Sequence, residues 1–492
     1  MIFNSIDFML FFPMVIVVYF FIPKRIRYIW LLIASYYFYM CWNIKYAFLI
    51  ALSTVITYIS GLFIEKYFFR KKLILIFSLV SNLSILFVFK YFQFLLQNIN
   101  HLRDIIGIAP MEKSLDLLLP VGISFYTFQA LGYSIDVYRG DVKAEKNLLK
   151  YALFVSFFPQ LVAGPIERSK NLLTQVNCVE YFRLWNYERI TNGAVIMLWG
   201  FFQKMVIADR AAILVDKVYG EYWIYGTIEL IFATILFAFQ IYCDFSGYSM
   251  IAVGAARIMG FELMENFNAP YYSKSIKEFW RRWHISLSSW FRDYIYIPLG
   301  GNRVSRLKGY GNLMVTFLIS GLWHGANWSY VAWGGVHGVY QIVGSLVAPI
   351  RDRLESRLSM KKESMSYKLG QVIVTFILVD FAWIFFRADR FLDSISIISQ
   401  IFTRWNPWIL FDGSLYSLGL DIAEMHILVV SILMLLLVDM VRYRTGKIIT
   451  EYLKEQCLWF RWLTIIALFW GVTIYGVYGS GFSAVSFIYF QF

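Results

Sequence analysis

The sequence predicts an all-α, polytopic membrane protein with about eleven or twelve transmembrane helices. Hydrophobic residues make up 59% of its 492 residues, and charged residues make up only 16%. A water-soluble domain of this composition would expose large apolar patches, so lipid is the expected solvent. About 20 residues of helix cross the hydrocarbon core, and tilt or burial inside a bundle relaxes that length. Runs without Asp, Glu, Lys or Arg recur at residues 46–64, 73–89, 117–135, 151–166, 231–243, 245–256, 309–350 and 427–438.

The longest uncharged run, residues 309–350, is long enough for two membrane passes joined by a tight turn. The sequence begins without a basic region or a small-residue cleavage site, which predicts that the first helix is retained. No linker, low-complexity tract or repeat of fixed period divides the sequence. Residues 1–492 are therefore predicted to form a single membrane domain.

The net charge of +13 predicts an orientation in the membrane, because the basic residues lie between apolar runs. The positive-inside rule puts these clusters on the cytoplasmic face. Both termini, and the loops at residues 98–111 and 389–424, are then expected on the extracytoplasmic face. Anionic lipid is a secondary partner of such clusters, and no nucleic acid is expected. The clusters are Lys24, Arg25 and Arg27; Lys66, Arg70, Lys71 and Lys72; and residues 274–308, 351–368 and 442–454.

Prolines and glycines interrupt two of the uncharged runs. Irregular backbone at membrane depth is tolerated only where protein or a water-filled cavity surrounds it. These segments are therefore predicted to be re-entrant or cavity-lining pieces, with ordinary kinked helices as an equal alternative. The interrupting residues are Pro120, Gly122 and Gly132 in one run, and Pro159, Gly164 and Pro165 in the other.

Residues 274–308 form the longest polar stretch in the central half of the chain. An apolar stripe at helical spacing runs through it, with arginines on the other faces, which predicts a helix lying at the membrane interface. His284 shares this stripe and is expected to point into the bundle. The stripe consists of Trp280, Trp283, Leu287 and Trp290.

His324 is the histidine that stands out among the five in the chain, because it lies midway along the run at residues 309–350. An ionisable group at that depth is costly unless it faces a cavity or a partner, so a functional role is the default hypothesis. A neutral imidazole there can accept a proton from an attacking hydroxyl. A structural hydrogen bond between helices is an equally good explanation from position alone.

His337 follows 13 residues after His324. On one continuous helix it would lie well round the cylinder from His324, whereas a turn at residues 325–327 would put the two on separate helices. Its flanking glycines favour a packing role. No histidine or cysteine spacing predicts a metal site. Cys243 adjoins Asp244 and is a conceivable nucleophile, but an inert buried thiol is favoured.

Four aspartates adjoin apolar sequence, as the proton carriers of a transporter would. However, the sequence has no inverted repeat and no matched pair of broken helices. Asp244 is instead expected to face the bundle and to pair with an arginine or with backbone amides. The four are Asp136, Asp244, Asp380 and Asp439.

Residues 279–303, which contain the segments FWRRWHIS and IPLGGN, resemble the signature of the membrane-bound O-acyltransferase family. The segment GLWHGANW at residues 321–328 resembles the block that carries the near-invariant histidine of that family. Residues 120–129, 158–167 and 487–492 match as well. The IPLGGN and WHGANW blocks are most similar to the bacterial alginate O-acetyltransferase branch, which includes peptidoglycan and cellulose acetylation homologues. They are less similar to the D-alanyl transfer protein of teichoic-acid synthesis.

The resemblance implies an O-acyltransferase of the bacterial cytoplasmic (inner) membrane with a tunnel through its bundle. Acetyl-CoA would present its thioester from the cytoplasm, and the acceptor would enter from the other face. His324 takes the place of the family's catalytic histidine, as general base on the acceptor hydroxyl. His284 takes the place of a second polar residue, which positions the thioester or stabilises developing charge. Arg281 and Arg282 could meet the CoA phosphates, although topology explains both without that role.

The acceptor that the resemblance implies is a serine on an extracytoplasmic, esterase-like partner protein, which then acetylates a polysaccharide. Two other functions remain open. A transporter or flippase of an acylated species would depend on Asp244 or Asp136. A non-catalytic scaffold for a secreted acetyltransferase would leave the purified chain inactive on acetyl-CoA.

Overall fold

The computed structural model describes residues 1–111, 119–162 and 164–478, and all regular secondary structure in these ranges is helical. The terminal motif at residues 487–492, and Ala163 within the block at 158–167, lie outside the described residues. The first helices are α1 (Ile6–Phe21), α2 (Arg27–Met40), α3 (Ile44–Lys66), α4 (Lys71–Leu86), α5 (Phe92–Ile105), α6 (Ile123–Arg139), α7 (Leu148–Ser156), α8 (Phe158–Leu161) and α9 (Thr174–Asn177). The central helices are α10 (Tyr187–Phe201), α11 (Asp209–Gly220), α12 (Thr227–Met259), α13 (Ile276–Arg282), α14 (Ile285–Phe291), α15 (Arg306–His324) and α16 (Trp328–Arg357). The last are α17 (Met365–Arg387), α18 (Phe391–Thr403), α19 (Ile422–Thr445), α20 (Ile449–Lys454) and α21 (Leu458–Tyr475).

Eight helical segments of the described chain are long and apolar enough to cross a membrane. Two shorter apolar helices, α1 and α18, add to them. The all-α, polytopic fold class is therefore confirmed, with fewer long spans than the eleven or twelve expected. The eight segments are Ile44–Lys66, Phe68–Ile105, Tyr187–Gly220, Thr227–Met259, Trp328–Arg357, Met365–Arg387, Ile422–Thr445 and Leu458–Tyr475.

The lower count has a physical reason in the two uncharged runs that proline and glycine interrupt. Their described residues form α6, of 17 residues, and the shorter α7 and α8, of nine and four residues. Nearly every residue of α6 is buried, because other helices cover it on all sides. These segments are apolar because protein surrounds them. A helix buried in protein and a helix in lipid have the same apolar composition, so the sequence does not distinguish them.

The prolines and glycines that were predicted to interrupt the helices have different effects on the backbone. Gly122 adopts a left-handed conformation (φ 74°) immediately before α6, so α6 begins there as an ordinary helix. Gly132 leaves α6 unbroken; a Cβ at this position would lie 3.4 Å from the Trp290 indole nitrogen. Pro159 lies in the first turn of α8. Gly132 is therefore a packing contact with the segment that carries His284.

Helix α12 runs through the centre of the bundle and is buried along most of its length. Helix α10 packs closely along it, because glycines on the two helices face each other. A Cβ at Gly193 would lie 2.7 Å from the carbonyl oxygen of Gly254, and a Cβ at Gly200 would lie 2.6 Å from that of Gly247. The two backbones therefore approach too closely for any side chain at these positions.

A buried ion cluster joins α12 to the π-helical turn Phe202–Ala208 that follows α10. The Lys204 Nζ lies 2.6 Å from a carboxylate oxygen of Asp209 and 2.6 Å from one of Asp244. All three side chains are at most 2% exposed. Asp244 faces the bundle as predicted, but its partner cation is lysine rather than arginine. Cys243 beside it is a fully buried thiol.

The predicted interfacial helix around His284 is in fact two short helices, α13 and α14. His284 lies between them with a positive φ of 43°, a conformation that is uncommon for a residue with a side chain. Two loop backbone hydrogen bonds hold this break: the Asn268 N–H donates to the Arg282 carbonyl (3.0 Å), and the Ile285 N–H donates to the Asn266 carbonyl (2.9 Å). The inward direction of His284 is confirmed, since its side chain is fully buried.

Helices α15 and α16 form the hairpin that the run at residues 309–350 predicts, with the turn at residues 325–327. Asn327 begins α16 by accepting a hydrogen bond from the Ser329 N–H (3.0 Å). Gly321 and Gly334 let the two helices meet, since a Cβ at either would overlap a backbone carbonyl of the other helix. His324 and His337 therefore lie on separate helices.

Candidate active site

His324 is the last residue of α15, at the turn of the hairpin. Its side chain is 3% exposed and is enclosed by aromatic rings. The rings of Trp323 and Trp333 each meet the imidazole edge to face with centroids 5.0 Å apart, and the Phe386 ring centroid lies 5.4 Å away. The hairpin thus holds the imidazole away from bulk solvent among aromatic rings, where electrostatic interactions are screened less than in water.

His284 approaches from the break between α13 and α14, and polar side chains fix the loop next to it. Ser286 Oγ donates to the Asn266 side-chain oxygen (2.6 Å), and the Asn266 amide nitrogen donates to Ser249 Oγ on α12 (3.1 Å). Ser286 Oγ also accepts from the Ile166 N–H (3.0 Å), which ties the block at residues 158–167 to the same loop. The strained backbone of His284 is therefore held by groups from three parts of the chain.

The fold brings the two histidines together. Their ring centroids lie 6.2 Å apart, with the ring planes at 57°. Phe245 meets the His284 ring edge to face at 4.6 Å, and Trp323 lies beside both imidazoles. Burial lowers the pKa of His284, which lies outside the spanning helices, to about 3. His284 is therefore neutral at physiological pH and can donate from one ring nitrogen while accepting at the other.

His337 occupies a separate position on α16, one helix turn beyond Trp333. Its Nδ1 accepts a hydrogen bond from the Trp280 indole N–H (3.3 Å), and its ring stacks on Phe279 at 6.2 Å. These contacts join α16 to α13 and agree with the packing role predicted for His337.

A cavity of about 2200 Å³ lies between α13, α14 and the helices α15 to α17, and neither His284 nor His324 is among the residues that line it. This exceeds the ~300–1,000 Å³ of common small-molecule pockets. Its wall includes Ile285, next to His284, and Ser320, one helical turn before His324. Most of the wall is apolar, and six basic side chains are part of it: Lys274, Lys277, Arg281, Arg292, Arg306 and Arg351.

The structure separates the two arginines that were singled out for phosphate binding. Arg281 lines the cavity. Arg282 is not part of that wall: its Nε donates to Glu278 (3.0 Å), and its guanidinium lies over the Tyr443 ring (4.7 Å). Arg281 is thus the better placed of the two to meet an anionic ligand. Within the described ranges, no group of three or more His, Cys, Asp or Glu residues is arranged to hold a metal ion.

Two residues beside the site were not recognised from the sequence. Lys90 and Tyr91 donate hydrogen bonds to the last carbonyls of α15, next to His324. One signal was present, because Lys90 is the only charged residue between Lys72 and Arg103. In the sequence Lys90 only marks the end of the uncharged run at residues 73–89, and nothing in the pattern links it to His324.

The geometry is that of a buried histidine pair in a helical membrane bundle, near a large cavity whose wall includes Ile285 and Ser320. Residues 142–388, about half of the chain, match the membrane-bound O-acyltransferase family. The chain belongs to this family. It is therefore an O-acyltransferase.

Curated relatives extend the match beyond that segment. The chain is 40% identical to the probable alginate O-acetylase of Pseudomonas aeruginosa, over 79% of this chain and 72% of that protein. It is 36% identical to the peptidoglycan O-acetyltransferase of Helicobacter pylori, over 75% of this chain and 72% of that protein. The teichoic acid D-alanyltransferase of Bacillus subtilis is 30% identical over 47% of this chain and 60% of that protein. The acyltransferase is thus related to both alginate and peptidoglycan O-acetylases, as the IPLGGN and WHGANW blocks indicate.

Proposed function

We propose that this acyltransferase moves an acetyl group from cytoplasmic acetyl-CoA through the bundle to a hydroxyl on the extracytoplasmic side of the bacterial inner membrane. The acceptor in this proposal is a serine of a secreted, esterase-like partner, which passes the acetyl group to a polysaccharide. The observation that carries the proposal is the buried pair of His284 and His324, near a cavity whose largely apolar wall contains six basic side chains. A CoA thioester has phosphates for such a lining and a small reactive group for the buried end.

In the proposed reaction, an imidazole nitrogen of His324 accepts the proton of the acceptor hydroxyl as its oxygen attacks the thioester carbonyl. The C–O bond forms, the C–S bond breaks, and the proton passes from His324 to the departing thiolate, so the products are the acetyl ester and free CoA. His284, as a neutral imidazole, donates an N–H to the carbonyl oxygen where negative charge develops. A general base typically contributes about 10²–10⁴-fold, and fixed orientation in a dry site adds to it.

The location of the cavity supports entry of the donor from the cytoplasm. Its basic residues come from the clusters at residues 274–308 and 351–368, which the positive-inside rule assigns to that face. Helix α15 then leads from Arg306 in the cavity wall to His324 at its far end. On this topology His324 lies toward the extracytoplasmic face, where the acceptor would arrive.

Asp244 and Asp136, the two carboxylates on which a transporter was expected to depend, are already engaged by neighbouring groups. Asp244 is 2.6 Å from Lys204. Asp136 accepts hydrogen bonds from Tyr294 (2.7 Å) and Ser169 (2.6 Å). A proton carrier must bind a proton and release it to solvent or substrate. Partners that hold these carboxylates in fixed contacts oppose that exchange. These contacts favour chemistry over proton-coupled transport.

A vesicle experiment with doubly labelled donor tests the proposal. Inside-out vesicles from the source bacterium expose the cytoplasmic face and receive acetyl-CoA that carries ¹⁴C in the acetyl group and ³H in the coenzyme. Transfer across the membrane is expected to deliver ¹⁴C to protein or polymer in the lumen while ³H stays outside. Equal uptake of both labels would instead indicate a transporter of the intact thioester. Vesicles from a strain without the chain give the background, and lumenal labelling at that background would contradict the proposal.

Replacing Arg281 with alanine is expected to raise the KM for acetyl-CoA by about tenfold, with little change in kcat. Losing one charge-assisted hydrogen bond to phosphate costs about 1.4 kcal/mol in ground state and transition state alike. Initial rates at varied acetyl-CoA concentration measure this effect.

The control for Arg281→Ala is a donor without the nucleotide, S-acetyl-pantetheine, which has no phosphates for Arg281 to bind. With this donor the variant and the wild type are expected to have the same KM. An equal rise in KM for both donors would mean that Arg281 shapes the cavity instead of binding phosphate.

A further inference from the structure

Lys90 lies inside the helical segment Phe68–Ile105, where the π-helical turn Phe87–Tyr91 joins α4 to α5. It is partly buried. π-turns within α-helices are rare and occur often at functional sites. A lysine within a membrane span is costly to maintain, and its partners therefore indicate what it does.

The Lys90 ammonium has three N–H donors, and three acceptors lie within hydrogen-bond distance of it. They are the carbonyl oxygens of Trp323 (2.7 Å) and His324 (3.2 Å) and the hydroxyl of Ser124 (3.3 Å). A neutral side chain of similar length could not supply three donors from one atom. The ammonium group thus links the end of α15 to the first turn of α6.

Tyr91 extends the same contact by one carbonyl. Its hydroxyl donates to the carbonyl oxygen of Leu322 (3.0 Å). The last carbonyls of any α-helix have no partner inside the helix and are partly negative. In α15 the last three, on Leu322, Trp323 and His324, all receive donors from Lys90 and Tyr91.

The hydrogen bonds of Lys90 connect it to His324 directly and to His284 through neighbouring aromatic rings. Lys90 holds the main chain of His324 directly and lies over the Trp323 ring, 5.8 Å from its centroid. Trp323 packs edge to face on the His324 ring. Ser124 precedes Phe125, whose ring packs against Trp323 at 5.4 Å and lies 6.4 Å from the ring centroid of His284.

We infer that Lys90, with Tyr91, is a positioning residue for acyl transfer: it caps the C-terminus of α15 and fixes His324 in line with His284. The inference rests on the proposed function. Lys90 makes no contact with the reacting atoms in this assignment. It acts through the backbone of His324, where a displacement of about 1 Å can lower the rate 10²-fold.

The test measures kcat and the KM for acetyl-CoA in detergent-solubilised full chain, as thiol release in the presence of a vesicle extract that contains the acceptor. Lys90→Met is expected to lower kcat by about 10²-fold and to leave the KM within twofold. Lys90→Arg keeps the charge and several donors, so it is expected to recover at least a tenth of the wild-type kcat. Tyr91→Phe, which loses a single hydrogen bond, is expected to lower kcat about fivefold.

Lys217→Met is the matched control, because the Lys217 ammonium also donates to a backbone carbonyl, that of Ser417 at 2.7 Å, in a contact that does not involve α15. It is expected to keep the wild-type kcat. Thermal unfolding of each variant separates positioning from folding, and Tyr91→Phe carries the test if Lys90→Met does not fold. The inference is overturned if the kcat of folded Lys90→Met stays within twofold of wild type, or if Lys90→Arg recovers nothing.

Failure of this inference is distinguishable from failure of the proposed function. If thiol release needs His324 but not Lys90, only the positioning role is wrong. If thiol release persists in His324→Ala, the proposed mechanism itself is wrong, whatever the Lys90 variants do.

Discussion

Replacing His324 with alanine is expected to lower kcat for acetyl transfer by about 10²–10⁴-fold, the contribution of a general base. In the proposed reaction His324 takes the proton of the acceptor hydroxyl, and the Trp323, Trp333 and Phe386 rings around it have no basic atom that could replace the lost imidazole. The KM for acetyl-CoA is expected to change little, since His324 is not among the residues that line the cavity. Initial rates of thiol release, normalised to folded protein, measure both constants.

Two further variants separate the loss of a catalytic base at His324 from a loss of packing or folding. His324→Gln fills the pocket without a basic ring, so it should be as inactive as His324→Ala but closer to wild type in stability. His337→Gln removes an equally buried histidine that accepts a hydrogen bond from Trp280 and lies outside the proposed reaction. It is expected to keep kcat within a few-fold of wild type. Acetyl transfer retained in folded His324→Ala would refute the assignment of the base.

Replacing Lys204 with methionine is expected to destabilise the folded chain by about 3–5 kcal/mol, the cost of breaking a buried ion pair from one side. The ammonium lies between the Asp209 and Asp244 carboxylates, which are at most 2% exposed. Removing it leaves both buried carboxylates without a neighbouring cation. The cluster joins α12 to the π-helical turn that follows α10, close to the backbone contact of Gly200 with Gly247, so these segments cannot part to admit water without losing that packing. Thermal or denaturant-induced unfolding in detergent, followed by tryptophan fluorescence, measures the loss.

A triple variant tests whether uncompensated charge causes the Lys204 effect. Lys204→Met combined with Asp209→Asn and Asp244→Asn removes all three charges and is expected to regain most of the lost stability. Lys150→Met is the exposed comparison: its ammonium lies 3.8 Å from Glu180 with both side chains partly exposed, so a loss of at most about 1 kcal/mol is expected. A triple variant as unstable as Lys204→Met would mean that packing, not charge, is responsible.

The membrane class and much of the site were predictable from the sequence because they depend on local patterns. Long apolar runs indicate helices in lipid. A histidine inside such a run is energetically costly, which indicates that it has a function or a specific partner. The count of spans was too high because an apolar helix covered by protein, such as α6, has the same composition as one covered by lipid. The break at His284 was missed because the apolar stripe continues in phase on both sides of it.

The sequence by itself therefore determined the fold class, the hairpin at residues 309–350, the family and the two histidines worth testing. The tertiary structure alone decided that these histidines are neighbours, that Arg281 and not Arg282 lines the cavity, and that Lys204 is the partner of Asp244. It also decided that Lys90 caps α15, 234 positions away along the chain. The physical reason is that burial follows local periodicity, whereas the partner of a polar group depends on which helices the fold brings side by side.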